Sequence, residues 1–147
     1  MKKLSICFLM VFGLLFFAGI AKVEAGTYLG EFRWRIQCTD GSTATVTLGV
    51  TDMGNNHYGL NGLAICPPGP MPVVGNAEIV GGQFLIHLTG SVVDLNRQGY
   101  WMEGISFFIK LDLPSFNGNG AMVVTACEIN TGYSDIWSQS FTVTLIP

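Results

Sequence analysis

From Thr27 onward the chain alternates apolar and polar residues with a period of two, in short runs separated by Gly, Asn and Asp. That pattern restricts it to half-buried β-strands joined by tight turns. In the first run Tyr28, Phe32, Trp34, Ile36 and Cys38 share one face, and Glu31, Arg33, Arg35 and Gln37 share the other. Thr39-Asp40-Gly41-Ser42 supplies turn chemistry, and Ala44, Val46, Leu48 and Val50 then alternate with Thr43, Thr45 and Thr47. The spacing predicts a hairpin.

The pattern continues to the C-terminus. Asp52 to Asn56 predicts a turn, and His57 to Cys66 a third strand with Tyr58, Leu60, Gly62 and Ala64 on one face. Pro67-Pro68-Gly69-Pro70 is expected to stop pairing, because proline has no N–H to donate to a ladder, before a weak fourth strand from Met71 to Val80. Gly81-Gly82 predicts a tight turn, Gln83 to Val93 a fifth strand, and Asp94 to Gly99 another turn. Tyr100 to Leu113 is the sixth strand, with Trp101, Ile105, Phe107, Ile109 and Leu111 in register and Glu103 among them. A bulge at Gly104 is expected to move Glu103 off that apolar face. Asn117-Gly118-Asn119-Gly120 reads as a hairpin turn leading into Ala121 to Ile129, and the last strand runs from Trp137 to Ile146.

Eight strands at this spacing, with short connections and no helical periodicity, predict an all-β fold. An eight-stranded antiparallel up-and-down barrel is favoured, with a β-sandwich as the alternative. Closure removes exposed sheet edges, and a barrel of eight has an interior that side chains fill or that holds one small ligand.

The segment before Thr27 sets an expected destination. Lys2 and Lys3 precede an apolar run from Ile6 to Ile20, and Val23-Glu24-Ala25 offers a small-residue cleavage site. Residues 1–25 read as a signal peptide and 26–147 as a single domain, exported to the periplasm or the medium. Lys-Lys before a short apolar core suits bacterial export. Cleavage would leave no later stretch able to span a membrane as a helix. It would also leave Arg33, Arg35, Arg97 and Lys110 against nine acidic residues. A chain so poor in cations lacks the electrostatic footprint of a nucleic-acid binder.

Cys38, Cys66 and Cys127 remain after cleavage. Three thiols in an oxidising compartment predict one disulfide and one leftover cysteine, with all three pairings open. No CxxC pair occurs, so neither a thioredoxin-like site nor a zinc ribbon is indicated.

Gly30-Glu31-Phe32, just before Trp34 on the first strand, is similar to the Gly-x-Trp opening of lipocalins, with phenylalanine for tryptophan. Asp40-Gly41-Ser42-Thr43 resembles the first avidin hairpin. The chain thus resembles the calycin group, which implies a barrel with an internal pocket. No arginine follows Arg97, where lipocalins carry one that packs on the first-strand tryptophan, and no binding residue is carried over.

Phe32, Trp34, Tyr58, Phe84, Trp101, Phe107 and Phe141 share the inward parity. They fill the barrel or line an apolar pocket. Gly30, Gly62 and Ala64 are expected to leave room for a cavity. His57 and His87 fall on the outward parity without compact metal-ligand spacing, and Asp94 to Gly99 only begins like a calcium loop. Glu31 and Glu103 are the carboxylates nearest the aromatic strands, yet neither has an identifiable catalytic partner. Gly-x-Ser-x-Gly, phosphate-loop and dinucleotide motifs are missing. The expected function is therefore non-enzymatic, without metal or cofactor, with a small apolar ligand as partner. A solid structural or adhesive envelope protein and a small outer-membrane barrel are the alternatives.

Overall fold

The computed structural model describes residues 26–66, 69–94 and 101–147. The proposed signal peptide, Pro67-Pro68, Tyr100 and the 95–99 part of the calcium-like loop lie outside the described residues. The described chain forms β1 (Thr27–Cys38), β2 (Thr43–Gly54), β3 (His57–Cys66), β4 (Gly69–Val80), β5 (Gln83–Asp94), β6 (Trp101–Asp112), β7 (Asn117–Glu128) and β8 (Ser134–Ile146). Each strand pairs antiparallel with the next, and β8 returns to β1, closing an up-and-down barrel.

Inward residues on every strand meet along the axis. Trp34 and Ile36 of β1 join Val46 and Leu48 of β2, Ile86 and Leu88 of β5, Ile109 and Leu111 of β6 and Val143 of β8 in one buried cluster. Burying aliphatic side chains of this size contributes about 1.5–3 kcal/mol each. The outer face carries Glu31, Arg33 and Arg35 on β1, all exposed.

Four expectations are corrected. Pairing of β4 with β3 begins at Gly69 and passes through Pro70 and Pro72, whereas pairing with β5 begins only at Val73. Residues two apart aim their N–H groups at the same neighbour. The missing donors of both prolines therefore face β5, where the ladder has already ended, and the strand tolerates them.

Asn117-Gly118-Asn119-Gly120 is not a turn but the start of β7, in unbroken register with β6 from Asp112↔Asn117 to Ile109↔Gly120. The chain turns earlier, at residues 113–116, which include a cis Leu113–Pro114 bond and Phe116 at φ 52°. Gly120 serves close packing, since a Cβ there would sit 2.6 Å from the Phe141 ring.

The register through Gly104 is likewise continuous with both neighbours, from Ser91 on β5 to Thr125 on β7. No bulge displaces Glu103, which stays on the inward face and is 8% exposed.

Gly62, expected to leave space, instead removes it. A Cβ there would lie 1.9 Å from the Thr47 carbonyl oxygen, so the glycine lets β3 press against β2. Gly62→Ala should cost about 2 kcal/mol in urea unfolding, because backbone must move to admit the methyl group. Gly69→Ala, where an added Cβ meets nothing within 4 Å, should change stability by less than about 0.5 kcal/mol.

Candidate functional site

The seven inward aromatic residues do not surround one cavity. Four of them interlock at the end of the barrel that carries the β2–β3, β4–β5 and β6–β7 turns. Phe32 stacks beside Trp34 with centroids 6.0 Å apart, and Tyr58 meets Phe84 edge-on at 5.1 Å. Phe116, from the β6–β7 turn, folds over this end against Phe32 and Phe84. The indole Nε1 of Trp34 donates to the Phe116 carbonyl at 3.1 Å and holds that turn in place. Aromatic contacts of this kind contribute about 0.5–1.5 kcal/mol each beyond area burial. A cavity of about 120 Å3 remains among them.

The middle of the barrel is filled. Trp34, Ile36, Val46, Leu48, Ile86, Ile109, Leu111 and Val143 leave about 10 Å3, room for at most one water.

The opposite end holds the larger space, a cavity of about 250 Å3. Ile36, Ile105, Phe107, Met122 and Val124 form its apolar wall, and Trp137, 38% exposed, stands at its edge. Of the seven aromatic candidates only Phe107 reaches this cavity. Phe141 packs behind Phe107 at 6.2 Å, while Trp101 is buried edge-on against Tyr133 at 6.0 Å; neither lines the cavity.

Glu103, Asp40, Ser42, Thr43 and Gln139 give the cavity its polarity. Glu103 enters from β6, with apolar Val92 and Ala126 as cross-strand neighbours. It is partnered, and no buried side-chain oxygen or nitrogen among the described residues lacks a hydrogen bond. Asp40 sits at the rim in the β1–β2 turn, where its Oδ1 accepts from the Ser42 backbone N–H at 2.8 Å and the Ser42 hydroxyl at 2.6 Å. Hydrogen bonds from Ser42, and then from Gln139, hold the Asp40 carboxyl below the usual aspartate range. Gln37 braces the same turn by donating from Nε2 to the carbonyls of Gly41 and Ser42.

Cys38 and Cys66 complete the lining. Cys38, Cys66 and Cys127, expected to supply one disulfide, are free thiols in this structure. β2 lies between the strands of Cys38 and Cys66. Two strand spacings amount to roughly 10 Å, beyond the span of about 7 Å that a disulfide bridges between Cα atoms. Burial pushes the Cys66 thiol up from its ordinary 9.0, with Glu103 and then Cys38 adding to the shift.

The histidines stand apart from these cavities. Both are exposed; His57 lies opposite Glu78, and His87 stacks on Phe108 at 4.7 Å. Among the described residues no three His, Cys, Asp or Glu side chains gather as metal ligands would. Glu31 is exposed on the outer face of β1. Sequence reasoning missed Phe116, placed by a turn of unexpected position, and Trp137, whose inward parity near the start of β8 was readable.

No family model and no curated protein matches the chain. Among solved structures, the barrel is similar to that of EF1p2_mFAP2b bound to DFHBI, with a TM-score of 0.53 at 15% identity over 79% of this chain and 90% of that one. At this identity the likeness is one of fold.

The Cys66 environment predicts a specific thiol chemistry. At pH 8, iodoacetamide should modify Cys66 at least about tenfold more slowly in the native barrel than in urea, as resolved by peptide mass spectrometry, because the thiolate is the reactive form. The linkage has the opposite sign to that of a salt-bridged carboxylate. The unfolded thiol ionises first, so the barrel loses stability as pH rises through and beyond 9.0, and Cys66→Ala should flatten that dependence in urea titrations.

Proposed function

We propose that this chain is an exported, non-enzymatic barrel that carries one small, largely apolar molecule in its lumen. The observation that carries this reading is the cavity of about 250 Å3 at the end bearing the β1–β2 turn, with Ile36, Ile105, Phe107, Met122 and Val124 as its wall. An apolar concavity with a few convergent polar groups is the usual form of a small-molecule site. The similar barrel of EF1p2_mFAP2b, bound to DFHBI, supports the idea that such an architecture accommodates a compact ligand. Export rests on the basic start, apolar core and small-residue site of residues 1–25, which suit a bacterial secretory signal leading to the periplasm or the medium.

Two alternatives are weaker. A solid structural or adhesive barrel draws support from the filled middle of the lumen, but does not account for the open end. An outer-membrane barrel needs an apolar band facing outward. Here the buried cluster faces inward, and the exposed apolar residues outside, such as Leu63, Val74 and Phe108, share the outer face with exposed Glu31, Arg33, Arg35 and Gln37 on β1 and Lys110 on β6.

Native mass spectrometry on protein from its own cells, purified without detergent, should reveal a discrete excess mass that disappears on denaturation. Met122→Trp, which puts an indole into the cavity, should reduce the loaded fraction at least about tenfold, a loss of 1.4 kcal/mol or more in binding. A bare polypeptide mass, together with Trp emission unmoved by any apolar probe, would decide for the solid barrel.

A further inference from the structure

We infer that the aromatic end of the barrel is a second binding site, separate from the larger cavity, which takes one uncharged, apolar ring of the size of benzene or toluene. This goes beyond the carrier reading and does not depend on it.

The two cavities lie at opposite ends of the lumen, and the filled middle, with about 10 Å3 free, divides them. Five rings and three aliphatic side chains line the space of about 120 Å3 at the aromatic end, and no charged residue is among them. The only polar atoms on those side chains are the Trp34 indole nitrogen and the Tyr58 hydroxyl. The indole N–H is already spent on the Phe116 carbonyl at 3.1 Å. A water molecule needs about two to four polar partners to settle in a cavity, so water is poorly held here. Cavities of roughly 150 Å3 with aliphatic and aromatic walls stay dry and take up benzene or xenon.

Two features of the backbone keep this space open. β1 shifts register between Tyr28 and Gly30, pairing Tyr28 with Thr51 but Gly30 with Val50, so Leu29 is the extra residue of a bulge. Gly30 supports it at φ 123°, a conformation that side chains disfavour. A bulge re-aims the side chains beside it. The Tyr28 ring, inward by sequence parity, packs instead beside Gly49, where an added Cβ would meet it at 3.3 Å. Leu29, 49% exposed, stands in its place at the mouth of the cavity and leaves an entrance from solvent. On the other side Phe116 forms a roof at φ 52°, which is rare for a bulky residue. Both of its backbone polar groups are fixed: its N–H donates to the Asp112 carbonyl at 2.8 Å, and its carbonyl accepts from Trp34. A void persists where its walls cannot collapse, and a roof pinned at both groups cannot sag into this one.

The test is read on the indole N–H signals of the isotope-labelled full chain, freed of any carried mass. Trp34 reports the aromatic end, Trp137 the larger cavity, and Trp101 lines neither. Benzene and toluene should move the Trp34 signal to saturation. Phenol, equal to toluene in heavy atoms, should bind there at least about tenfold more weakly, because its hydroxyl exchanges water for an apolar wall. Ile79→Trp, which puts an indole into the cavity from β4, should weaken benzene at Trp34 at least about tenfold. If that variant fails to fold, Leu29→Trp at the exposed mouth replaces it. Met122→Trp, which fills the larger cavity, should leave benzene at Trp34 within about twofold of the wild type. A shift of Trp137 alone, or of no indole, overturns the second site and leaves the carrier reading untouched. Phenol binding as tightly as toluene overturns the apolar class. A saturable Trp34 shift in a protein with a bare native mass upholds this site while the carrier reading fails.

Discussion

The seam between β1 and β8 is the constraint on which the rest of the molecule depends. Register from Arg33↔Ile146 to Cys38↔Phe141 joins the first strand to the last and turns a twisted sheet into a closed wall. A closed wall of eight strands has a fixed, narrow bore, so each inward residue competes for the same axial volume. Side-chain size along the strands then decides where the bore is solid and where it is hollow. Trp34 and Ile36, adjacent on the inward face of β1, illustrate this: Trp34 belongs to the aromatic end and the filled middle, while Ile36 belongs to the middle and the larger cavity.

The two ends use the same wall differently. At the aromatic end, Phe116 closes over Phe32 and Phe84, and its carbonyl is tied to the Trp34 indole. At the other end Phe107 and Trp137 stand among aliphatic side chains, the rim carries Asp40, Ser42, Thr43 and Gln139, and no turn residue contributes a ring to the lining. The asymmetry comes from which turns contribute rings, not from a difference in strand geometry.

Much of the architecture was readable because period-two patterning reports which side of a wall a residue faces. β1 and β3 ran over the residues their alternation predicted, and the seven aromatic residues do point inward. Parity carries no information about height along the axis, and so it merged two ends into one expected pocket. The glycine-rich start of β7 misled for a related reason. Asn-Gly is favoured where the chain reverses, but glycine is also required where a ring presses on a strand, as Phe141 does on Gly120. Glu103 misled through an assumption about cost: a carboxylate among apolar neighbours looked displaced, yet closure kept the register and left it inside. The prolines of β4 read as terminators in the sequence because it does not show which neighbour each ladder position faces. One proline can pair on one side and not on the other.

That last point has a consequence for how the molecule behaves among its own copies. Where β4 separates from β5, below Val73, the barrel presents a stretch of wall that is not bonded across. Such a gap ordinarily invites a strand from another chain, the route by which β-proteins join edge to edge. On the β4 side of this gap Pro70 and Pro72 occupy the positions that would supply the donors. The opening in the ladder is therefore also the place least able to template a foreign strand, and the wall can loosen there without recruiting a neighbour into an aggregate.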